Sequence, residues 1–203
     1  MSAPLIRPMG QRTRLLVRPM LGPGWRAAAR ECTQHEQRDG FYYSPTNYMA
    51  FTLTSSAFQD GETIPRQFTC DGNDLAPPLA WSDVPEGTRS FALVMEDPDA
   101  PDGTFTHWLL YDIPATTTEL REQADGTVLP NSFGRAAYGG PCPPPGHGPH
   151  RYVFTLYAID VPALDMHSRT RASLDRALRA HTLATARLTG RYERKRKRKA
   201  HTT

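Results

Sequence analysis

Tyr152-Val-Phe-Thr-Leu-Tyr-Ala-Ile159 is the stretch that decides the fold. It is short, rich in β-branched and aromatic side chains, and preceded by a loop crowded with Pro and Gly, which is the setting of a strand. Working outward, Phe91-Ala-Leu-Val-Met95 is a continuous apolar run, as expected of a strand buried on both faces. Thr106-His-Trp-Leu-Leu-Tyr-Asp-Ile113 reads as a further strand ended by Pro114. Phe51-Thr-Leu-Thr-Ser55 alternates apolar and polar residues, the pattern of a half-buried strand. Between these runs lie turn-forming stretches at Asp71-Gly-Asn-Asp74, at Asp97-Pro-Asp-Ala-Pro-Asp-Gly103, and from Tyr138 to Pro149. Strand spacing is irregular and no helical pattern separates the strands. The expected class is therefore mainly β, an antiparallel sandwich rather than a parallel α/β sheet.

One helix is expected near the end of the chain. Leu174, Ala177, Leu178, His181, Ala184 and Leu188 recur at helical spacing and form one stripe. Ser168 or Thr170 suits its N-cap, and Gly190 its C-terminal stop. His181 falls on the apolar side and reads as a hydrogen-bonded core residue, not a ligand.

Length and charge set the organisation. The chain has 203 residues, which suits one domain with appendages. A formal charge of +3 is too small for a polyelectrolyte, but its distribution is uneven. Residues 1–30 carry Arg7, Arg12, Arg14, Arg18, Arg26 and Arg30 with no acid. Pro4, Pro8, Pro19 and Pro23 would break an amphipathic helix there, so residues 1–48 read as an unstructured basic leader, not a transit peptide. Met49, just before the first strand, is an alternative start. The domain is expected over 51–192, and 193–203 is a basic tail carrying the run Arg194–Lys199. No aromatic residue is interleaved after Tyr192, so that tail reads as a solvated appendage without specific nucleic-acid recognition. It could add at most peripheral contact with an anionic membrane.

No apolar segment is long enough to span a bilayer, and no secretion signal is evident. A cytoplasmic location follows as the expectation. On that basis Cys70 and Cys142 are expected as reduced, mostly buried thiols, with a disulfide between them as the alternative. Neither they nor Cys32 form a CxxC pair, which disfavours a zinc knuckle.

Unusual residues concentrate in two loops and a strand: Asp97-Pro-Asp99-Ala-Pro101, His107-Trp108, and the loop from Tyr138 that leads through Gly140, Pro141 and His147 into His150-Arg151-Tyr152. Prolines restrict that last loop, so it can wall a ligand with little entropy lost on binding. The Gly139 and Gly140 amides could form a small anion concavity. Period-two alternation puts His150 and Tyr152 on one face and Arg151 on the other. Asp97 and Asp99 could accept hydrogen bonds from His107 or His150 and fix their tautomers, or could receive an ammonium group.

Taken together, Asp97-Pro-Asp-Ala-Pro101, His107-Trp108 and Gly140-Pro141…His150-Arg-Tyr152 resemble the phosphatidylethanolamine-binding proteins. The bacterial and archaeal Raf-kinase-inhibitor-like branch is the most similar, supported by Cys70-Asp-Gly-Asn-Asp74 and Pro77-Pro-Leu-Ala-Trp81. The resemblance covers about 51–192. It implies a sandwich of two packed sheets with a C-terminal helix, and a small surface pocket for phosphate-like anions and phospholipid headgroups. By motif position it implies that Asp97, Asp99, His107, Gly140, Pro141, His150 and Tyr152 line that pocket. It implies binding without catalysis and without a cofactor, with inhibition of a kinase or serine protease as an alternative role. The leader, the basic tail and the missing pocket-closing C-terminal segment of animal members depart from the pattern.

Two enzymatic rivals stand beside this reading. Asp97, Asp99, His107, His147 and His150 could supply a facial set of metal ligands. Cys142, near His147 and His150 in sequence, could act as a nucleophile.

Overall fold

The computed structural model describes residues 50–121 and 125–196. The expected leader 1–48, Met49, Cys32 and the tail beyond Arg196 lie outside the described residues. Among the described residues eight strands form two antiparallel sheets. The smaller sheet is ordered β1-β2-β5 (Thr52–Thr54, Leu79–Ser82, Glu119–Leu120). The larger is ordered β6-β4-β3-β7-β8, with β3 at Ser90–Asp97, β4 at Phe105–Pro114, β6 at Thr127–Val128, β7 at His150–Ile159 and β8 at Thr182–Tyr192. A helix, α1 (Arg171–His181), lies between β7 and β8 in the chain.

Strand β3 explains the continuous apolar run. Phe91, Leu93 and Met95 point into the core between the sheets, against Trp81, Leu110, Tyr152, Phe154 and Leu156. Ala92 and Val94 point the other way, into a second cluster with Leu109, Tyr111, Leu174 and Leu178. A strand covered on one face by a sheet and on the other by a helix has no polar side to show. Strand β4 alternates likewise: Trp108 and Leu110 face the first core, Leu109 and Tyr111 the second. Asp112 then adopts a left-handed φ of 55°, and Ile113 rejoins the first core. Asp112 accepts the Leu164 backbone N–H at 2.8 Å, and burial pushes its carboxyl up.

The C-terminal segment differs from expectation. The helix is capped by Thr170, whose side chain accepts from the Ser173 N–H, but it stops at His181. Residues 182–192 pair along β7 as a strand. Ala186, Leu188 and Gly190 are buried while Leu183, Thr185, Arg187 and Arg191 are exposed. That is period two, and Thr182, Thr185 and Thr189 favour it. The helical spacing of His181, Ala184 and Leu188 is a coincidence of two shorter patterns. Gly190 is not a helix stop; a Cβ there would overlap the Ile64 side chain and approach Phe58 at 3.0 Å. His181 is half-exposed, not core, and its Nδ1 pairs with Asp160 at 2.9 Å.

The cysteines also differ from expectation. Cys70 and Cys142 form a disulfide with Cα atoms 5.4 Å apart. The nearby Cys70 N–H donates to the Pro141 carbonyl at 3.2 Å. The two turn-rich loops are thus fastened to each other.

Candidate functional site

The site lies where the ends of β3, β4 and β7 meet. β3 pairs with β4 on one side and β7 on the other, so its last residue, Asp97, lies beside the start of both neighbours. A cavity of about 350 Å³ opens there, lined by Asp97, His107 and His150 together with Phe105, Phe133 and Pro143. The Asp97–Gly103 turn and the Cys142–Pro144 segment supply the remaining walls.

Asp97 anchors the cluster. Its Oδ1 accepts the Asp99 N–H at 2.9 Å, and its Oδ2 accepts the His150 Nδ1–H at 2.8 Å. Both side chains are almost fully buried. A carboxylate on Nδ1 fixes the imidazole tautomer. His150 Nε2 lies 2.9 Å from His147 Nδ1. With Nδ1–H given to Asp97, the Nε2 end of the His150 ring is shared with His147.

His107 is held differently. Its Nδ1–H donates to the Gly139 carbonyl at 2.7 Å, which leaves Nε2 as the free ring nitrogen. Burial pushes its pKa down, against smaller opposing effects of the Gly139 carbonyl and Asp97. Its ring meets Phe133 and Tyr152 edge to face at 5.4 and 5.2 Å between centroids. Asn131 stitches this region together. Its amide N–H groups donate to the carbonyls of His107 and Ala137, and its Oδ1 accepts from the Phe133 and Arg135 amides.

Several residues named from sequence lie elsewhere. Asp99 does not orient a histidine; it takes the Arg151 backbone N–H and guanidinium at 2.7–2.9 Å. The Arg151 guanidinium holds its carboxyl down at about 2. The Gly139 and Gly140 amides are not an open anion concavity. Gly139 N–H donates to the His107 carbonyl at 3.2 Å, and Gly140 N–H to Asp74 Oδ1 at 2.7 Å. Gly140 is small because Phe68 and Asp74 press on it. Pro141 is buried behind the loop, its carbonyl taken by Cys70. Tyr152 is fully buried; its hydroxyl makes no hydrogen bond of full geometry but lies within reach of Asp97 and the Cys142 backbone. Burial first, and then Asp97, push that phenol far up.

The enzymatic rivals find no support in this geometry. Among the described residues no group of His, Cys, Asp or Glu is placed to hold a metal ion; His147 and His150 are turned onto each other instead. Cys142 is tied in the disulfide and offers no nucleophilic thiolate. Pro143 and Pro144 line the cavity, as expected of the proline loop read as a ligand wall, whereas Phe105 and Phe133 also line it and were not singled out from the sequence. Those two aromatic residues carry no signal beyond hydrophobicity.

Comparison with known proteins follows the same line. The family model "Phosphatidylethanolamine-binding protein" matches residues 54–193. A "UPF0098 protein" of Aquifex aeolicus is 48% identical over 150 residues, spanning 69% of this chain and 86% of that relative. Escherichia coli YbcL is 41% identical over 161 residues, 71% of this chain and 88% of that relative. The YbcL crystal structure superposes with a TM-score of 0.67, covering 71% of this chain and 99% of that one. A putative phosphatidylethanolamine-binding homolog from Chlamydia trachomatis gives 0.67 at 39% identity, with coverage of 71% and 98%. The chain belongs to the phosphatidylethanolamine-binding protein family, in its bacterial and archaeal branch.

Proposed function

We propose that this family member binds small phosphorylated or otherwise anionic ligands, such as phospholipid headgroups, in the Asp97–His107–His150 cavity, without chemical transformation. The observation that carries this reading is the meeting of two nearly buried histidines with one carboxylate at a cavity of about 350 Å³. Buried polar side chains are costly unless they are satisfied, and here each imidazole has a fixed partner at Nδ1, the Gly139 carbonyl for His107 and Asp97 for His150. That volume suits a headgroup and not a large substrate. Phe105, Phe133 and the prolines supply apolar walls, which exclude water and strengthen each polar contact inside.

In this proposal His107 and His150 contact the headgroup, Asp97 orients His150, and Tyr152 backs the His107 ring. Gly140 and Pro141 act at one remove, by fixing the loop whose Gly139 carbonyl sets the His107 tautomer. Any effect on a partner protein would follow from ligand occupancy of this cavity.

Calorimetry with phosphoethanolamine tests the reading. The wild-type chain should bind, and His150→Ala should abolish binding. Unchanged affinity in His150→Ala would remove the site assignment.

A further inference from the structure

The Cys142–Pro145 segment stands between two openings. On one side Cys142, Pro143 and Pro144 wall the cavity of His107 and His150. On the other, Pro145 lines a basic cavity of about 590 Å³ with Arg66, Asp71 and Arg194. The backbone of this segment is poorly fastened. Pro141, Pro143, Pro144 and Pro145 have no N–H to donate. The Cys142 backbone comes within reach of the Tyr152 hydroxyl without a hydrogen bond of full geometry. Among the described residues, the backbone hydrogen bonds that tie the loop to its surroundings fall on either side. Gly139, Gly140 and Pro141 are held before the segment, and the Gly146 N–H donates to the Arg194 carbonyl at 2.7 Å after it. Between those points the covalent link from Cys142 to Cys70 fixes the wall.

That link is placed where a thiol can reach it. Cys70 is exposed and Cys142 half-buried, and neither belongs to the apolar core. A cation stands beside one sulfur. Arg194 Nη1 donates to Cys142 Sγ at 3.7 Å, while its Nε is held on Asp71 at 3.0 Å. Asp71 also accepts the Tyr192 hydroxyl at 2.9 Å, so the guanidinium is anchored independently of the sulfur. A cation at this position stabilises a departing thiolate, and a better leaving thiolate speeds exchange. The contribution of the link to the fold favours the oxidised state, so the wall stays shut until a reductant is supplied.

We propose that Cys70–Cys142 is a thiol-exchange site that gates the cavity: a dithiol cuts the bridge, and the Cys142–Pro145 wall loosens while the sheets stay folded. A thiolate of the dithiol attacks Cys70 Sγ. The S–S bond breaks and its electron pair leaves on Cys142 Sγ, beside Arg194. The second thiol of the reductant then attacks its own sulfur in the mixed disulfide and releases Cys70. The dithiol ends as a cyclic disulfide, and its two protons go to the two cysteines. The gate regulates the site proposed above and so rests on that reading.

Dithiothreitol acting on the full chain at neutral pH tests this, in a Cys32→Ser background that keeps the third cysteine out of the thiol count. Reduction should proceed in the folded chain at a rate proportional to dithiothreitol, and several-fold more slowly in Arg194→Gln. After reduction the Gly146 and His147 amides should exchange with solvent faster, while the β7 amides keep their protection. Phosphoethanolamine affinity should fall about tenfold, the cost of ordering a loosened wall on binding, and return when diamide restores the bridge. A reduction rate independent of dithiothreitol would mean that the bridge opens only through unfolding, which overturns the inference and leaves the proposed function standing. Equal affinity in the two redox states overturns it too. Absence of phosphoethanolamine binding in both states removes the function instead; the amide exchange then decides the gate, unchanged Gly146 and His147 protection being the result against it.

Discussion

His150 is held at both ends of its ring, by Asp97 at Nδ1 and His147 at Nε2, whereas Asp99, only two residues along the same turn, faces outward to Arg151. The period-two reading put His150 and Tyr152 on one face and Arg151 on the other, and their burial follows it. It gave no warning that Arg151 would capture Asp99, because pairing across a turn is invisible to alternation. The difference is testable. Asp99→Asn should leave phosphoethanolamine affinity within about twofold, since a surface ion pair of this kind is worth below about 1 kcal/mol. Its effect on stability should depend on pH. The folded carboxyl sits at about 2 against an ordinary 3.8, so the stabilisation is present above that ordinary value and is lost as pH falls through the folded one. Melting curves of Asp99→Asn and wild type should converge near pH 2 and separate at pH 6. A second residue carries an unusual expectation. The Tyr152 hydroxyl is buried and makes no well-formed hydrogen bond, although Asp97 and the Cys142 backbone lie within its reach; an unmade bond at a buried hydroxyl costs up to about 1–3 kcal/mol. Tyr152→Phe should therefore melt no lower than wild type; a fall of several degrees would mean that the hydroxyl is in fact satisfied.

At the scale of elements, β3, β4 and β7 were legible because each carries its burial in its composition. β3 is apolar throughout, and both its faces are covered. β8 was not legible, because Ala184 and Leu188 fit a helical stripe as well as a strand. The decision belongs to tertiary pairing with β7, over the register from His150↔Tyr192 to Ile159↔Thr182. Gly190 shows the difference. As a helix stop it would matter for its backbone freedom; in β8 it matters because Ile64 and Phe58 lie against it. Gly190→Ala should cost about 1–3 kcal/mol by overpacking. Ile64→Val in the same chain should recover part of that loss, and strict additivity in the double-mutant cycle would contradict the contact. The cavity was legible in its polar residues and its proline wall, but not in Phe105, at the start of β4, or Phe133. Only the Cys142–Pro144 part of the wall comes from the Tyr138–Pro149 loop, which folds back over the strand ends. No local pattern encodes that return.

For the molecule as a whole, the disulfide joins loops separated by 72 residues. Such a link restricts the unfolded chain by up to about 4 kcal/mol in the chain-entropy model. Replacing both cysteines by Ser should lower the melting temperature accordingly, and a denatured wild-type chain should show no free thiol at Cys70 or Cys142. Because Cys142 also walls the cavity and Cys70 sits beside Asp71, to which Arg194 is bound at 3.0 Å, the same replacement should weaken phosphoethanolamine binding. Among the described residues no helix is long and apolar enough to cross a membrane. The central claim is that a headgroup sits between His107 and His150. Its most direct test is imidazole NMR of the seven histidines during titration with phosphoethanolamine. Saturable shifts led by the His107 and His150 rings, with His147 following as its bond to His150 opens, are predicted. Saturable shifts elsewhere that leave both rings unmoved would contradict the account.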